Sequence, residues 1–213
     1  MRALTVFLLT SWTLLAATPD GASPDKSPRL IYSKSFPGSN PAWEEITVDN
    51  SGAGLYKDDP KDEDPLKFQL TDGEKSEMFG LADKLDHFSR KLESGLKVAN
   101  MGMKTLRYEA GGQAGEAKFN YTEDLDAKAL TEWFEKIADS ERGLITLETA
   151  VRFDKLGVQD AILRIEVIRD QKRLVSPQQF LPMLDRVAKN ESYLDIARKR
   201  AAALADSIRA LPK

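Results

Sequence analysis

The chain contains no cysteine, so no disulfide framework, zinc–cysteine site or thiol nucleophile is open to it. Its fold must be held by buried apolar surface alone, where small exported domains commonly add disulfides to a thin core. Export is the expectation from the first residues. Arg2 places a positive charge ahead of residues 3–17, ALTVFLLTSWTLLAA, which carry none. A basic start followed by an apolar core of this length predicts a secretory signal peptide, and the run is shorter than the ~20 apolar residues of a membrane span. An uncleaved anchor is the competing reading.

Leu14 and Leu15 stand where a small residue would favour cleavage, and residues 18–23 hold no tidy small-x-small pattern. The cut is expected between Ala17 and Ser23. Thr18 follows Leu15-Ala16-Ala17 where a lipoprotein needs cysteine. Residues 1–22 are assigned to the signal peptide and the start of a leader, and residues 23–28 to a flexible leader. About 190 residues remain, enough for one or two packed domains.

There are 31 basic and 34 acidic residues, and removing Arg2 takes the net charge from −3 to −4. That balance argues against nucleic acid as a partner, which needs a basic surface, and against anionic lipid. No second apolar run is long enough to span a membrane once the signal is removed. A cysteine-free exported chain fits a bacterial envelope, where the sequons Asn120-Tyr121-Thr122 and Asn190-Glu191-Ser192 are chance matches.

Residues 29–36 form a candidate first strand, and Pro37-Gly38-Ser39-Asn40-Pro41 breaks it. Trp43, Ile46 and Val48 stand among polar residues in the next, and Asp49-Asn50-Ser51-Gly52 is a turn whose Asn and Gly tolerate positive φ. Residues 53–57 return as a partner strand, 58–65 form an acidic loop and 66–70 a further strand. Thr71 or Asp72 can cap a helix whose apolar positions Met78, Leu81, Ala82, Leu85, Phe88 and Leu92 recur at helical spacing. Residues 104–110 and 116–121 predict a hairpin around Gly111-Gly112-Gln113-Ala114-Gly115. Thr122 can cap a second helix that buries Ala127, Leu130, Trp133, Phe134 and Ile137.

Lys67-Phe68-Gln69-Leu70-Thr71 and Lys118-Phe119-Asn120-Tyr121-Thr122 open the two helices alike. This suggests a hairpin-then-helix (ββα) pseudo-repeat, set against chance likeness of two short amphipathic stretches. One such unit buries too little apolar surface; two can share a core. Leu144, Leu147 and Val151 continue the helical pattern, and Asp154-Lys155-Leu156-Gly157 reads as its stop. Val158, Ala161, Ile162, Ile165 and Ile168 fit a helix, although the β-branched run also suits a strand. Ser176-Pro177 opens a further helix, and Tyr193, Ala197, Ala201, Leu204, Ala205, Ile208 and Leu211 make the last stripe. The fold expected is α+β: an antiparallel sheet from two ββα units over residues 29–140, followed by a helical C-terminal region over 141–213.

The chemistry-bearing residues form no constellation. His87, the one histidine, falls on the first helix without a second histidine or cysteine to make a dyad or metal site. Residues 58–64, DDPKDED, are rich in oxygen but lack the glycine and terminal glutamate of a calcium loop, and read as a solvated loop. Adjacent Glu44 and Glu45 on a strand point to opposite faces. No G-x-S-x-G or phosphate-loop pattern is present. Trp43, Tyr56, Phe68, Tyr108, Phe119 and Tyr121 are core candidates, or a binding surface if one sheet face is uncovered. Arg198-Lys199-Arg200 reads as a solvated helix face. No catalytic, cofactor-binding or metal residue is therefore assigned, and no cofactor is expected.

Residues 97–105, KVANMGMKT, with the Tyr121-Thr122 helix start and the closing 197–201 helix, ARKRA, resemble uncharacterised exported bacterial proteins. The resemblance implies export and a bacterial source and transfers no residue roles. The pattern as a whole fits a non-catalytic binding or interaction protein of the envelope, its protein partner or small ligand unspecified. A sheet edge or helix groove would offer the contact. The alternative is a secreted hydrolase whose carboxylates come together only in the fold.

Overall fold

Alternation along the strands decides which side of the sheet is covered. The computed structural model describes residues 27–211; the signal peptide, its cleavage site and leader residues 23–26 lie outside the described residues. Six strands, β1 (Arg29–Ser35), β2 (Trp43–Asp49), β3 (Ala53–Lys57), β4 (Leu66–Gln69), β5 (Met103–Ala110) and β6 (Gln113–Phe119), form one antiparallel sheet in the order β4-β3-β2-β1-β5-β6. Leu30, Tyr32, Ile46, Val48, Tyr56, Phe68, Leu106, Tyr108, Ala117 and Phe119 share one face and are buried. Helices α1 (Asp72–Lys84) and α2 (Leu125–Phe153) cover it with Met78, Leu81, Leu130, Phe134 and Ile137.

The opposite face carries the row Lys67–Leu55–Thr47–Ile31–Arg107–Glu116, one residue from each strand. It is mostly polar or charged, as a water-facing side of an antiparallel sheet should be. Tyr56, Phe68, Tyr108 and Phe119 belong to the covered core and Tyr121 lies beyond β6, so of the strand aromatics only Trp43 has the uncovered face's parity. The aromatic binding surface considered from the sequence does not form there.

The hairpins β3–β4 and β5–β6, each followed by its helix, lie at opposite edges of the sheet with β2 and β1 between them. Thr71 caps α1: its hydroxyl accepts from Glu74 N (3.3 Å) while Glu74 Oε2 accepts from Thr71 N (2.8 Å), a reciprocal capping box. Asp124, not Thr122, caps α2, Oδ1 accepting from Ala127 N at 3.0 Å. The Thr122 hydroxyl instead accepts from Asp124 N.

The first helix is shorter than its apolar spacing predicts. It ends at Lys84, and Asp86, His87 and Phe88 turn left-handed at φ 51°, 51° and 66°. Phe88 and Leu92 still reach the same core, but from a turn and from irregular chain. The residue that makes room for this turn is distant in sequence. The His87 carbonyl packs onto Gly115 of β6, where a Cβ would lie 2.0 Å from its oxygen.

The C-terminal region is helical: α3 (Val158–Asp170), a short 3₁₀ turn (Pro177–Phe180), α4 (Leu181–Lys189) and α5 (Asp195–Arg209). The β-branched run of α3 is helical because Val158, Ala161, Ile162 and Ile165 form one buried stripe. Tyr193 precedes α5 yet is buried, its hydroxyl donating to Val151 O at 3.2 Å. Leu211 lies beyond the last helix and is exposed, not part of its stripe. α2 runs unbroken across residues 140 and 141 and serves two cores, with residues 127–138 facing the sheet and Leu144, Leu147 and Val151 facing α3–α5.

Replacing Gly115 with alanine forces a methyl group against the His87 carbonyl. Overpacking of this kind costs about 1–3 kcal/mol, so Gly115→Ala is expected to lower the thermal midpoint by several degrees. Neighbouring Ala114→Ser, on an exposed position, should leave it nearly unchanged; differential scanning calorimetry checks both.

Candidate functional site

Four consecutive residues of α2, Asp139-Ser140-Glu141-Arg142, are hydrogen-bonded and interrupt its apolar stripe. Asp139 accepts from Arg142 Nη2 (2.7 Å) through one oxygen and from Arg173 Nε (2.9 Å) through the other. The Ser140 hydroxyl accepts from Val175 N at 2.9 Å and donates to Lys136 O at 3.0 Å. Glu141 Oε1 accepts from Gln179 Nε2 at 2.7 Å. Arg142 Nη1 donates to Glu44 Oε2 of β2 at 2.7 Å. Together they fasten residues 173–179 across the joint between sheet and helical region, and Val175 drops into the sheet-side core.

The turn is dry on its Glu44 and Glu141 sides, while the Arg142 and Asp139 side chains stay 36% and 30% exposed. Glu44 is buried, and burial raises its carboxyl above the ordinary value against the pull of Arg142 and Lys34. Tyr32 and Tyr56 flank Ile46 in one cross-strand row beside it. Burial, with the Glu44 charge adding, pushes both phenols up, so they stay neutral. As expected from strand parity, Glu45 lies on the other face.

The fastened segment forms one wall of a groove. Ser176 is left-handed at φ 49°, and Pro177 sets the first residue of the 3₁₀ turn. The Ser176 hydroxyl donates to Gln69 O at 2.8 Å. The opposite wall is β4, an edge strand. Leu70 N donates to Gly52 O at 2.9 Å. Because bonded pairs alternate in an antiparallel ladder, Leu66 and Phe68 turn their backbone groups to β3. Lys67 N–H and C=O and Gln69 N–H then face the groove, beside the Gln69 carbonyl that Ser176 occupies.

The groove has a volume of about 960 Å³. Phe68, Leu174, Pro177 and Leu211 give it apolar walls; Gln69, Gln178 and Gln179 add neutral amides. Glu74, the single carboxylate lining it, is engaged in the Thr71 cap. That same cap takes up the Thr71 and Glu74 amides at the start of α1.

The sequence candidates lie elsewhere. His87 sits on the left-handed turn, not on a helix, with Nε2 2.8 Å from Asp83 Oδ1 and its ring stacked on Tyr108 at 4.0 Å. It shares a hollow of about 380 Å³ with Ser89 and Gly112, and no hydroxyl among the described residues hydrogen-bonds to its ring. In the acidic loop, Asp59 accepts from Lys61 N and Asp62 from Asp64 N, so these carboxylates shape the loop itself. Among the described residues no group of three His, Cys, Asp or Glu side chains is placed to hold a metal ion. Gly111 and Gly112 make the two-residue β5–β6 turn at φ 52° and 102°, and Gly115 lies within β6. Sequence reasoning missed Asp139–Arg142, Arg173, Ser176 and Gln179. The available signal was the polar run breaking the stripe between Ala138 and Leu144.

Comparison with protein-family models and with curated proteins finds no match to either.

Removing Arg142 strands buried Glu44 without its cation, at about 1–3 kcal/mol or somewhat more for a charged group. Arg142→Met is therefore expected to lower the urea midpoint clearly. Adding Glu44→Gln in the same chain should recover much of the loss, because no unpaired charge then remains. Equilibrium urea unfolding of the two single variants and the double variant measures the coupling.

Proposed function

We propose that this chain is a non-catalytic binding protein exported to a bacterial envelope, and that the groove beside β4 holds an extended, largely uncharged peptide segment. The observation carrying this reading is the free edge of β4. Lys67 N–H, Lys67 C=O and Gln69 N–H lie along it, within a groove otherwise lined by apolar and neutral side chains. An extended peptide would pair with those groups as an added strand and place alternate side chains against the walls. Ser176 already makes one such bond, to Gln69 O, at the end of the same edge. The polar row on the open sheet face offers less: a partner there would have to strip water from charged and hydroxyl groups.

Export rests on Arg2 and the uncharged run of residues 3–17. The hydrolase alternative asks for two carboxylates facing a cleft. The groove lining contains only Glu74, and Glu44 and Glu141 are buried against their own partners.

Two measurements test this reading. Hydrogen–deuterium exchange with short uncharged peptides added should slow exchange at the Lys67 and Gln69 amides. Lys67→Pro, which removes an outward N–H and leaves the ladder to β3 intact, should weaken binding at least tenfold with little change in stability. Protection confined to the open-face row, or binding indifferent to Lys67→Pro, overturns the assignment. For export, N-terminal sequencing of protein recovered from its host envelope should start between Thr18 and Ser23. A membrane-bound chain that keeps residues 1–17 would identify an anchor instead.

A further inference from the structure

Two acids are buried among the described residues, and they are treated differently. Glu44 has the guanidinium of Arg142. Glu141, 1% exposed, has no cation within ion-pair distance among the described residues. Its one partner is an amide: Gln179 Nε2 donates to Glu141 Oε1 at 2.7 Å. The remaining atoms of the pair, Glu141 Oε2 and Gln179 Oε1, are both buried and both without a hydrogen-bond partner among the described residues. If Glu141 is ionised these are two acceptors with no hydrogen between them, an arrangement that costs the desolvation of each.

One proton on Glu141 Oε2 would give that oxygen a hydrogen to donate and Gln179 Oε1 one to accept, which would close a ring of two hydrogen bonds between acid and amide. We infer that Glu141 is carried as the neutral acid in a cyclic pair with Gln179, and that this pair is a proton-dependent latch joining α2 to the Pro177–Phe180 turn. The latch goes beyond the peptide-binding reading and does not rest on it.

The charges around the pair leave it this freedom. Glu148, on α2 itself, disfavours a second negative charge. The Pro177–Phe180 turn contributes no titratable group. On α2 and the crossing segment, Asp139 binds Arg142 and Arg173. Across the helical region Glu166 pairs with Arg200, Asp170 with Arg169, and Asp185 and Asp206 with Arg209. Burial pushes the Glu141 carboxyl up to about 7, against the lowering effect of the Gln179 bond and with Glu148 adding to the rise. The folded value therefore lies above the value of 4.5 for a free glutamate. Folding takes up a proton between these limits. The stabilisation is complete below about pH 4.5 and is lost as pH rises through about 7.

The test is urea unfolding of the intact protein across this range, wild type against Glu141→Gln. Glutamine keeps the two-bond ring as an amide pair and cannot ionise. The ratio of the unfolding constants, wild type over E141Q, should be flat at acid pH. It should then climb by up to about tenfold per pH unit and exceed tenfold by neutrality. Glu44 is common to both chains and cancels in the ratio. Independently of any variant, carbon-detected NMR of the wild-type side-chain carboxyls should show Glu141 protonated at pH 6 and titrating near 7. A ratio flat over the whole range, or a Glu141 carboxyl already ionised at pH 6, overturns the latch.

Discussion

One turn of α2 fixes how the sheet meets the helical region. Successive helical residues project about 100° apart, so Asp139, Ser140, Glu141 and Arg142 face four directions. All four find fixed partners: Arg173, the Val175 amide, Gln179 and Glu44. Here the sheet, the crossing segment and the 3₁₀ turn each take one side. Ser140 and Glu141 are buried, as is Glu44 opposite Arg142, so these groups depend strongly on their partners. The joint is consequently specified by geometry, where apolar packing alone would tolerate sliding.

Much of the architecture is legible in the residues. Val48 before Asp49-Asn50-Ser51-Gly52 gives both a core strand and its turn, and Thr71 with Glu74 spells out a capping box. Two misreadings share a cause. Leu85, Phe88 and Leu92 keep helical phase, yet the chain leaves the helix, because the room for a left-handed turn is made by Gly115, a residue of a later strand. Thr122 and Asp124 are both competent caps, and the choice between them depends on how the chain leaves β6. The polar joint was visible only as an interruption. Its partners lie 34, 35, 38 and 98 residues away in sequence, and no local pattern encodes such separations. The groove was less legible still, being made of a strand edge and a turn that meet only in three dimensions.

The two sides of the sheet divide the work of solvation. On the covered side apolar residues from α1 and α2 exclude water; on the other, hydroxyls and charges keep it. The strand edge at β4 belongs to neither. Ser176 satisfies one of its outward groups, and the neighbouring groups stay beside the apolar walls of Phe68, Leu174 and Pro177. Polar backbone beside apolar side chains matches the chemistry of an extended chain, which carries both at regular intervals.

The 29-residue length of α2, about 43 Å as an ideal helix, has a consequence for how such a protein can change over time. Gene rearrangement exchanges pieces most readily at exposed linkers where few contacts cross. The passage from sheet to helical region falls inside a continuous helix, at the residues bonded in the most directions. Cutting there would leave each fragment with half of a shared strut and a set of stranded polar groups. The two parts are thus bound to travel as one heritable unit, and new sequence is accommodated most easily at the exposed β3–β4 loop or the β5–β6 turn.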